Sequence, residues 1–166
     1  PMQRGDEVVP AIPTILGQVE IPEDAAEAER RLALVRHLTQ PDHPLTARVI
    51  VNRVWQHHFG TGLVETSSDF GYMGTAPSHP ELLDWLAGKF VADGWSLKKL
   101  HRLIMTSRAW QLSREPRAQQ AAADPDNRLL WRMPYRRLEV EPIRDSMLFV
   151  SGQLDRTFGG PPIMTV

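Results

Sequence analysis

The 166-residue sequence contains no cysteine. This absence excludes a disulfide framework, a thiolate zinc site, an iron–sulfur cluster and covalent c-type haem attachment within the chain. It leaves the compartment open, because a cysteine-free domain tolerates oxidising and reducing conditions alike. The sequence also lacks any apolar run of about 18 residues, so it predicts no helix that spans a membrane.

The composition is otherwise that of a globular protein, with 42% hydrophobic and 23% charged residues. The length fits one domain, and five tryptophans favour a core with large aromatic anchors. Charge is uneven, since residues 1–94 carry 7 basic and 13 acidic side chains whereas residues 95–166 carry 12 and 7. Such asymmetry is typical either of halves that complement each other or of a surface for an acidic partner.

Periodicity predicts an all-α fold, because apolar residues recur at helical spacing and no alternating strand pattern occurs. Four prolines in residues 1–22 favour an extended arm. We expect residues 23–166 to form a single helical domain that is truncated at its C-terminus, within the Gly-Gly-Pro-Pro segment 159–162. The predicted helices cover 23–39, 45–59, 80–93, 97–111 and 138–154, with a further short helix within 113–127.

The helix at 45–59 is apolar on most of its surface, which predicts a central buried position. Its polar strip consists of Thr46, Arg53 and His57. The helical wheel places His58 among the apolar residues, and we expect a buried imidazole that donates to a carbonyl or a carboxylate.

Residues 61–79 form a long Gly-rich loop, and loops of this length are uncommon in compact domains and often functional. Arg53, His57, Asp69 and His79 are weak candidates for a polar catalytic site around this loop. Residues 78–81 match a capping box with a proline in the first turn of the next helix.

A metal site is not predicted, because the adjacent His57 and His58 point about 100° apart on a helix. Either would need a distant partner such as Glu65, Asp69, His79 or His101, and no metal-binding spacing supports one. The sequence therefore predicts no metal and no cofactor in this chain.

Arg48 on the central helix needs an acidic partner if it is buried. One interpretation is an arginine–carboxylate network that holds the long loop on the helix. The other is an anion or sugar-acid site that uses Arg48 or Arg53.

The helix at 97–111 follows another helix after a short turn and carries Lys98, Lys99 and Arg102 on one side. That arrangement is compatible with a helix-turn-helix, but the chain is not basic overall and the turn is very short. A solvated basic face is the better interpretation, so no nucleic-acid partner is predicted.

Several long motifs together resemble a known family, the planctomycete-specific domain of unknown function (number fifteen fifty-three). The motifs that carry the resemblance lie at 44–49, 52–60, 78–86, 94–100, 127–132 and 136–139. The resemblance implies company with a second domain of unknown function and with an N-terminal cytochrome-c-like haem domain in exported bacterial proteins. It implies no established catalytic residues.

The resemblance and the lack of a catalytic signature favour a structural or interaction module of a large exported, redox-linked multidomain protein. On this interpretation the protein is extracytoplasmic, any haem lies in a separate domain, and the partners are other domains of the same polypeptide, another protein or a polysaccharide. The alternative is an enzyme, hydrolase-like and acting on polysaccharide, with its polar site at the loop after Gly60.

Overall fold

The computed structural model describes residues 5, 11–19, 21–22, 24–157 and 159. Within these residues the chain forms α-helices and no strand, which confirms the predicted all-α class. The helices are α1 (Glu27–Leu38), α2 (Thr46–Phe59), α3 (Pro80–Ala92), α4 (Leu97–Met105), α5 (Ala118–Ala123) and α6 (Val140–Val150). None of the described helices is long and apolar enough to cross a membrane.

The chain divides into two compact units, residues 1–134 and residues 135–166, which we describe separately. Much of the predicted arm at 1–22 lies outside the described residues, and the described part contains a 3-10 turn at Thr14–Leu16. The Gly-Gly-Pro-Pro segment also lies mostly outside them. The predicted boundaries of the arm and the domain therefore stay a prediction.

The core of the first unit is built around α2, as its apolar surface predicts. This helix packs against α3 and α4, which also pack against each other. Val51 is fully buried, and the rings of Trp55 and Phe59 stack with their centroids 4.3 Å apart. Leu86 and Phe90 of α3 are also buried in this core.

The basic helix α4 is shorter than predicted, because it ends at Met105 rather than at residue 111. The hydroxyl of Thr106 donates to the Arg102 carbonyl, and Ser107 donates to the Ile104 carbonyl, so side chains occupy the last helical acceptors. Ser96 caps the start of α4, since its hydroxyl accepts from the backbone N–H of Lys99 at 3.4 Å.

The start of α3 differs from the prediction. His79 is the N-cap residue and makes no capping hydrogen bond, so the predicted capping box at 78–81 is wrong. The backbone N–H of Ser78 donates instead to the Leu63 carbonyl at 2.8 Å, and its hydroxyl donates to the same atom. Ser78 therefore closes the loop rather than the helix. Pro80 begins α3, as predicted.

Two helices with apolar residues at helical spacing bury little. His37 is the buried residue of α1, whereas Leu32, Val35 and Leu38 are exposed. In the second unit α6 has no buried residue, although Pro142 lies in its first turn as expected. Leu97 of α4 is also 49% exposed, whereas Leu100 and Ile104 of the same helix are buried.

Candidate functional site

The loop at 61–79 is fastened to α2 by one buried amide. The Nδ2 group of Asn52 donates to the Val64 carbonyl at 2.9 Å, and its Oδ1 accepts from the Val64 N–H at 2.8 Å. Asn52 is fully buried. A Cβ atom at Gly62 would lie 2.7 Å from the Asn52 amide nitrogen, so this approach requires glycine. We call these contacts the Asn52 clamp.

Arg48 does not hold the loop, so the predicted arginine–carboxylate network is wrong in its location. Its Nε donates to Asp84 of α3 at 2.6 Å, and its Nη1 donates to the Pro44 carbonyl at 2.7 Å. Arg48 therefore links α2 to α3, and its side chain is 35% exposed. With its guanidinium engaged in this way, Arg48 is a poor candidate for the alternative anion site.

The distal part of the loop is cross-linked by side-chain hydrogen bonds. The Thr66 hydroxyl donates to the Asp69 carbonyl at 2.7 Å and accepts from the Thr75 N–H at 3.0 Å. The Asp69 carboxylate accepts from the Gly71 N–H at 2.8 Å. Asp69 thus shapes the turn, which is a structural role. The tip beyond it presents Tyr72 and Met73, both exposed.

The four predicted catalytic candidates are spread over three parts of the chain. Arg53 and His57 are exposed on α2, whereas Asp69 is in the loop and His79 precedes α3. The Nδ1 atom of His79 lies 3.0 Å from the Ser78 hydroxyl. Across the described part of the chain, no hydrogen bond or ion pair joins any two of Arg53, Asp69 and His79. The structure therefore does not assemble these three into one polar site.

The structure does bring together two histidines from different helices. The Nε2 atom of His58 on α2 lies 2.8 Å from the Nδ1 atom of His101 on α4. The His58 ring also packs edge-on against Trp110 at a centroid distance of 5.0 Å. His58 is half-buried rather than in the core, and its described ring-nitrogen contact is another imidazole. The expectation that His58 is buried in the core is therefore wrong, whereas its expected bond to a carbonyl or a carboxylate stays a prediction.

His37 and His43 form a second histidine pair, and His43 caps the start of α2. The Nδ1 atom of His43 accepts from the backbone N–H groups of Leu45 and Thr46 at 3.3 and 3.2 Å. Its proton must then sit on Nε2, which is buried and has no hydrogen-bond partner. Burial first, and then the nearby imidazole of His37, lower the pKa of His43, while Asp42 acts in the opposite direction. His43 is therefore held neutral.

An open groove of about 390 Å³ lies beside the base of the loop. Its lining residues are Ala76, Pro77, Ser78, Ala123, Asp124, Arg128 and Leu129. The Asp124 carboxylate is already engaged, because it accepts from the backbone N–H groups of Arg128 and Leu129 at 2.9 and 2.8 Å. Asp124 is the single carboxylate that lines the groove. Glycoside hydrolysis generally uses two carboxylates, and this groove presents one.

Asn52 and His43 are the residues whose roles sequence reasoning missed. An amide among the apolar residues of a helix is a signal for a buried side-chain hydrogen bond, and Asn52 fits it. No comparable signal marks His43, because histidine is not a usual capping residue.

A family model described as PSD1, protein of unknown function (DUF1553), matches residues 30–166. No curated protein and no solved structure matches the chain. The family match covers well over half of the sequence, including every α-helix except the first three residues of α1. The chain therefore belongs to the DUF1553 family.

Proposed function

We propose that this domain is an interaction module that packs against other domains of the same polypeptide. The observation that carries the proposal is α6, whose sequence Val-Glu-Pro-Ile-Arg-Asp-Ser-Met-Leu-Phe-Val contains six large apolar residues and no buried one. Val140, Met147 and Val150 are 75%, 69% and 85% exposed. An apolar helix left open in this way is typical of a surface that another protein element covers.

Helix α1 supports the proposal independently, since it belongs to the other unit. Leu32, Leu34, Val35 and Leu38 are all exposed, and Val35 is 54% exposed. Helices α2, α3 and α4 bury their apolar residues against one another, whereas α1 buries only His37. Each unit thus carries an exposed apolar helix, which favours a role in contacts with neighbouring domains.

The cellular setting in this proposal depends on the family resemblance alone. On that basis the polypeptide is exported and extracytoplasmic, and a haem group, if present, belongs to a separate cytochrome-c-like domain. The chain's lack of cysteine is consistent with haem attachment elsewhere.

The alternative, a hydrolase acting on polysaccharide, has weaker support. Arg53, Asp69 and His79 share no polar contact, and the groove beside the loop offers one carboxylate where glycoside hydrolysis generally uses two. The test is whether the whole polypeptide releases reducing sugar from polysaccharide. Activity that is lost in Asp69→Asn and His79→Gln would favour the hydrolase over the interaction module.

Hydrogen exchange tests the interaction module. We expect the amides of α6 and α1 to exchange at least about tenfold more slowly in a polypeptide that carries the neighbouring domains than in this chain alone, because docking protects helices that open easily. The amides of α2 should exchange equally in both. Equal rates for α6 in the two proteins would contradict the proposal.

A pair of substitutions on α6 sharpens the result. Met147→Asp should remove the added protection, because it places a charge within an apolar contact. Ser146→Asp, the neighbouring exposed polar position, is the matched control and should retain the protection.

A further inference from the structure

We propose that His58 and His101 form a binding site for a divalent transition-metal ion, with Cu(II) preferred. Imidazole nitrogen is a ligand that suits copper, zinc and nickel, and Cu(II) stands highest in the affinity order of the divalent first-row metals. The two nitrogens that would bind the ion are His58 Nε2 and His101 Nδ1.

The distance between these nitrogens fits a shared ion. Metal–nitrogen bonds of about 2.0–2.1 Å that meet at a right angle place their nitrogens about 2.9 Å apart. The two atoms lie 2.8 Å apart across the His58–His101 contact. In the hydrogen bond each nitrogen faces the other, so both rings must turn until their lone pairs converge on the ion. The imidazole that donates in the hydrogen bond moves its proton to its other ring nitrogen, so that both ligands bind as neutral imidazoles.

The scaffold holds the two ligands in place. Phe59 and Leu100, the chain neighbours of the two histidines, are buried in the core, so each ligand is anchored on a packed helix. Trp110 packs edge-on against the His58 ring at a centroid distance of 5.0 Å. His101 is exposed, which lets water complete the coordination shell.

The other histidine pair of the molecule cannot serve in the same way. Nδ1 of His43 already accepts two backbone hydrogen bonds, so Nε2 carries the proton and has no lone pair for a metal. His37 Nε2 is bonded to the Leu16 carbonyl at 2.9 Å.

No group of three or more histidine, cysteine, aspartate or glutamate side chains within the described ranges could hold a metal. The sequence prediction of no metal named His101 among the distant partners that His57 or His58 would need, without a spacing that supports it. The fold brings His58 and His101 together across 43 residues of chain.

Cu(II) titration of the whole chain, prepared without a polyhistidine tag, tests the proposal. Copper is added as its glycine complex to suppress weak surface binding. We expect one equivalent to bind and to quench part of the tryptophan fluorescence, because the Trp110 ring lies 5.0 Å from the His58 ring. The electron paramagnetic resonance spectrum should show splitting from two imidazole nitrogens. In Trp110→Phe the quenching should shrink while the spectrum is unchanged.

The deciding variant is His101→Gln, at an exposed position where the fold tolerates change. We expect its affinity for Cu(II) to fall by at least about tenfold, which is about 1.4 kcal/mol, and its spectrum to show one fewer nitrogen. His57→Gln, on the same turn of α2 as His58, is the matched control and should bind as the unmodified chain does. Unchanged binding by His101→Gln, or an equal loss in His57→Gln, would show adventitious surface binding and overturn the proposal. Thermal unfolding without copper verifies that each variant is folded.

Discussion

Helices α1 and α2 are neighbours in the chain, and both carry large aliphatic residues at helical spacing, yet their burial is opposite. Five residues of α2 are buried, including Val51 and Trp55, whereas α1 buries one. The difference shows that periodicity identifies the face that can be covered, while the covering element decides whether it is. Helix α2 has α3 and α4 beside it. In our proposal, a neighbouring domain covers the exposed apolar residues of α1.

Of the changes that test this contrast, Trp55→Ala should have the largest effect on stability. The side chain is 5% exposed and stacks on Phe59, so its removal should lower the free energy of unfolding by about 3–5 kcal/mol. Urea denaturation followed by circular dichroism measures the change. Trp85→Ala on α3, where the side chain is 55% exposed, is the control and should lose far less. Equal losses of stability in the two variants would show that burial does not distinguish Trp55 from Trp85.

The next largest effect should come from Asn52→Ala. This change leaves the N–H and the carbonyl of Val64 buried without partners, so we expect a loss of about 2–3 kcal/mol. Loop amides near Val64 should also exchange faster with solvent. Arg53→Ala, the next and exposed residue, should change stability by less than about 0.5 kcal/mol. An Asn52→Ala variant as stable as Arg53→Ala would show that the clamp contributes nothing.

A smaller effect should appear at the junction of α1 and α2, where His43 caps α2. Burial lowers the pKa of His43, so the unfolded chain takes up the proton first as the pH falls. The stabilisation is complete above the ordinary pKa of about 6.5 and is lost progressively as the pH falls below it. Thermal unfolding between about pH 8 and pH 5 measures the loss.

His43→Asn separates the cap from the titration. An asparagine offers an amide oxygen that accepts the same backbone hydrogen bonds without a proton to gain. The variant should therefore flatten the pH dependence of the melting temperature. A slope identical to that of the unmodified chain would assign the effect to groups other than His43.

The smallest effect should be that of Val35→Ser on α1. Its side chain is 54% exposed, so we expect a change within about 0.5 kcal/mol in this chain. In a polypeptide that carries the neighbouring domains, the same change should weaken protection of α1 in hydrogen exchange. If the free energy of unfolding fell by more than about 1 kcal/mol in the chain alone, α1 would already be packed. Its burial would then not differ from that of α2 in the way described.

The helical framework was predictable because its signals are local. The apolar surface of the segment that begins at Thr46 and the glycine after Phe59 predict α2 within one residue at its start. The side-chain pairs were not predictable, because Arg48 meets Asp84 and His58 meets His101 across 36 and 43 residues. Those side-chain contacts depend on how α2 crosses α3 and α4, and the periodicity of a single sequence does not predict the crossing. The exposure of α1 was missed for the same reason.

Because its two ends are held together, the loop at 61–79 can be lengthened at its tip. Ser78 bonds to Leu63, and the Asn52 clamp holds Val64, so the two ends of the loop are fixed beside each other. Chain added between Tyr72 and Met73 would then cost mainly closure entropy, which grows only with the logarithm of length. The tip is therefore a place where a peptide or a fluorophore can be inserted while the core around α2 keeps its stability.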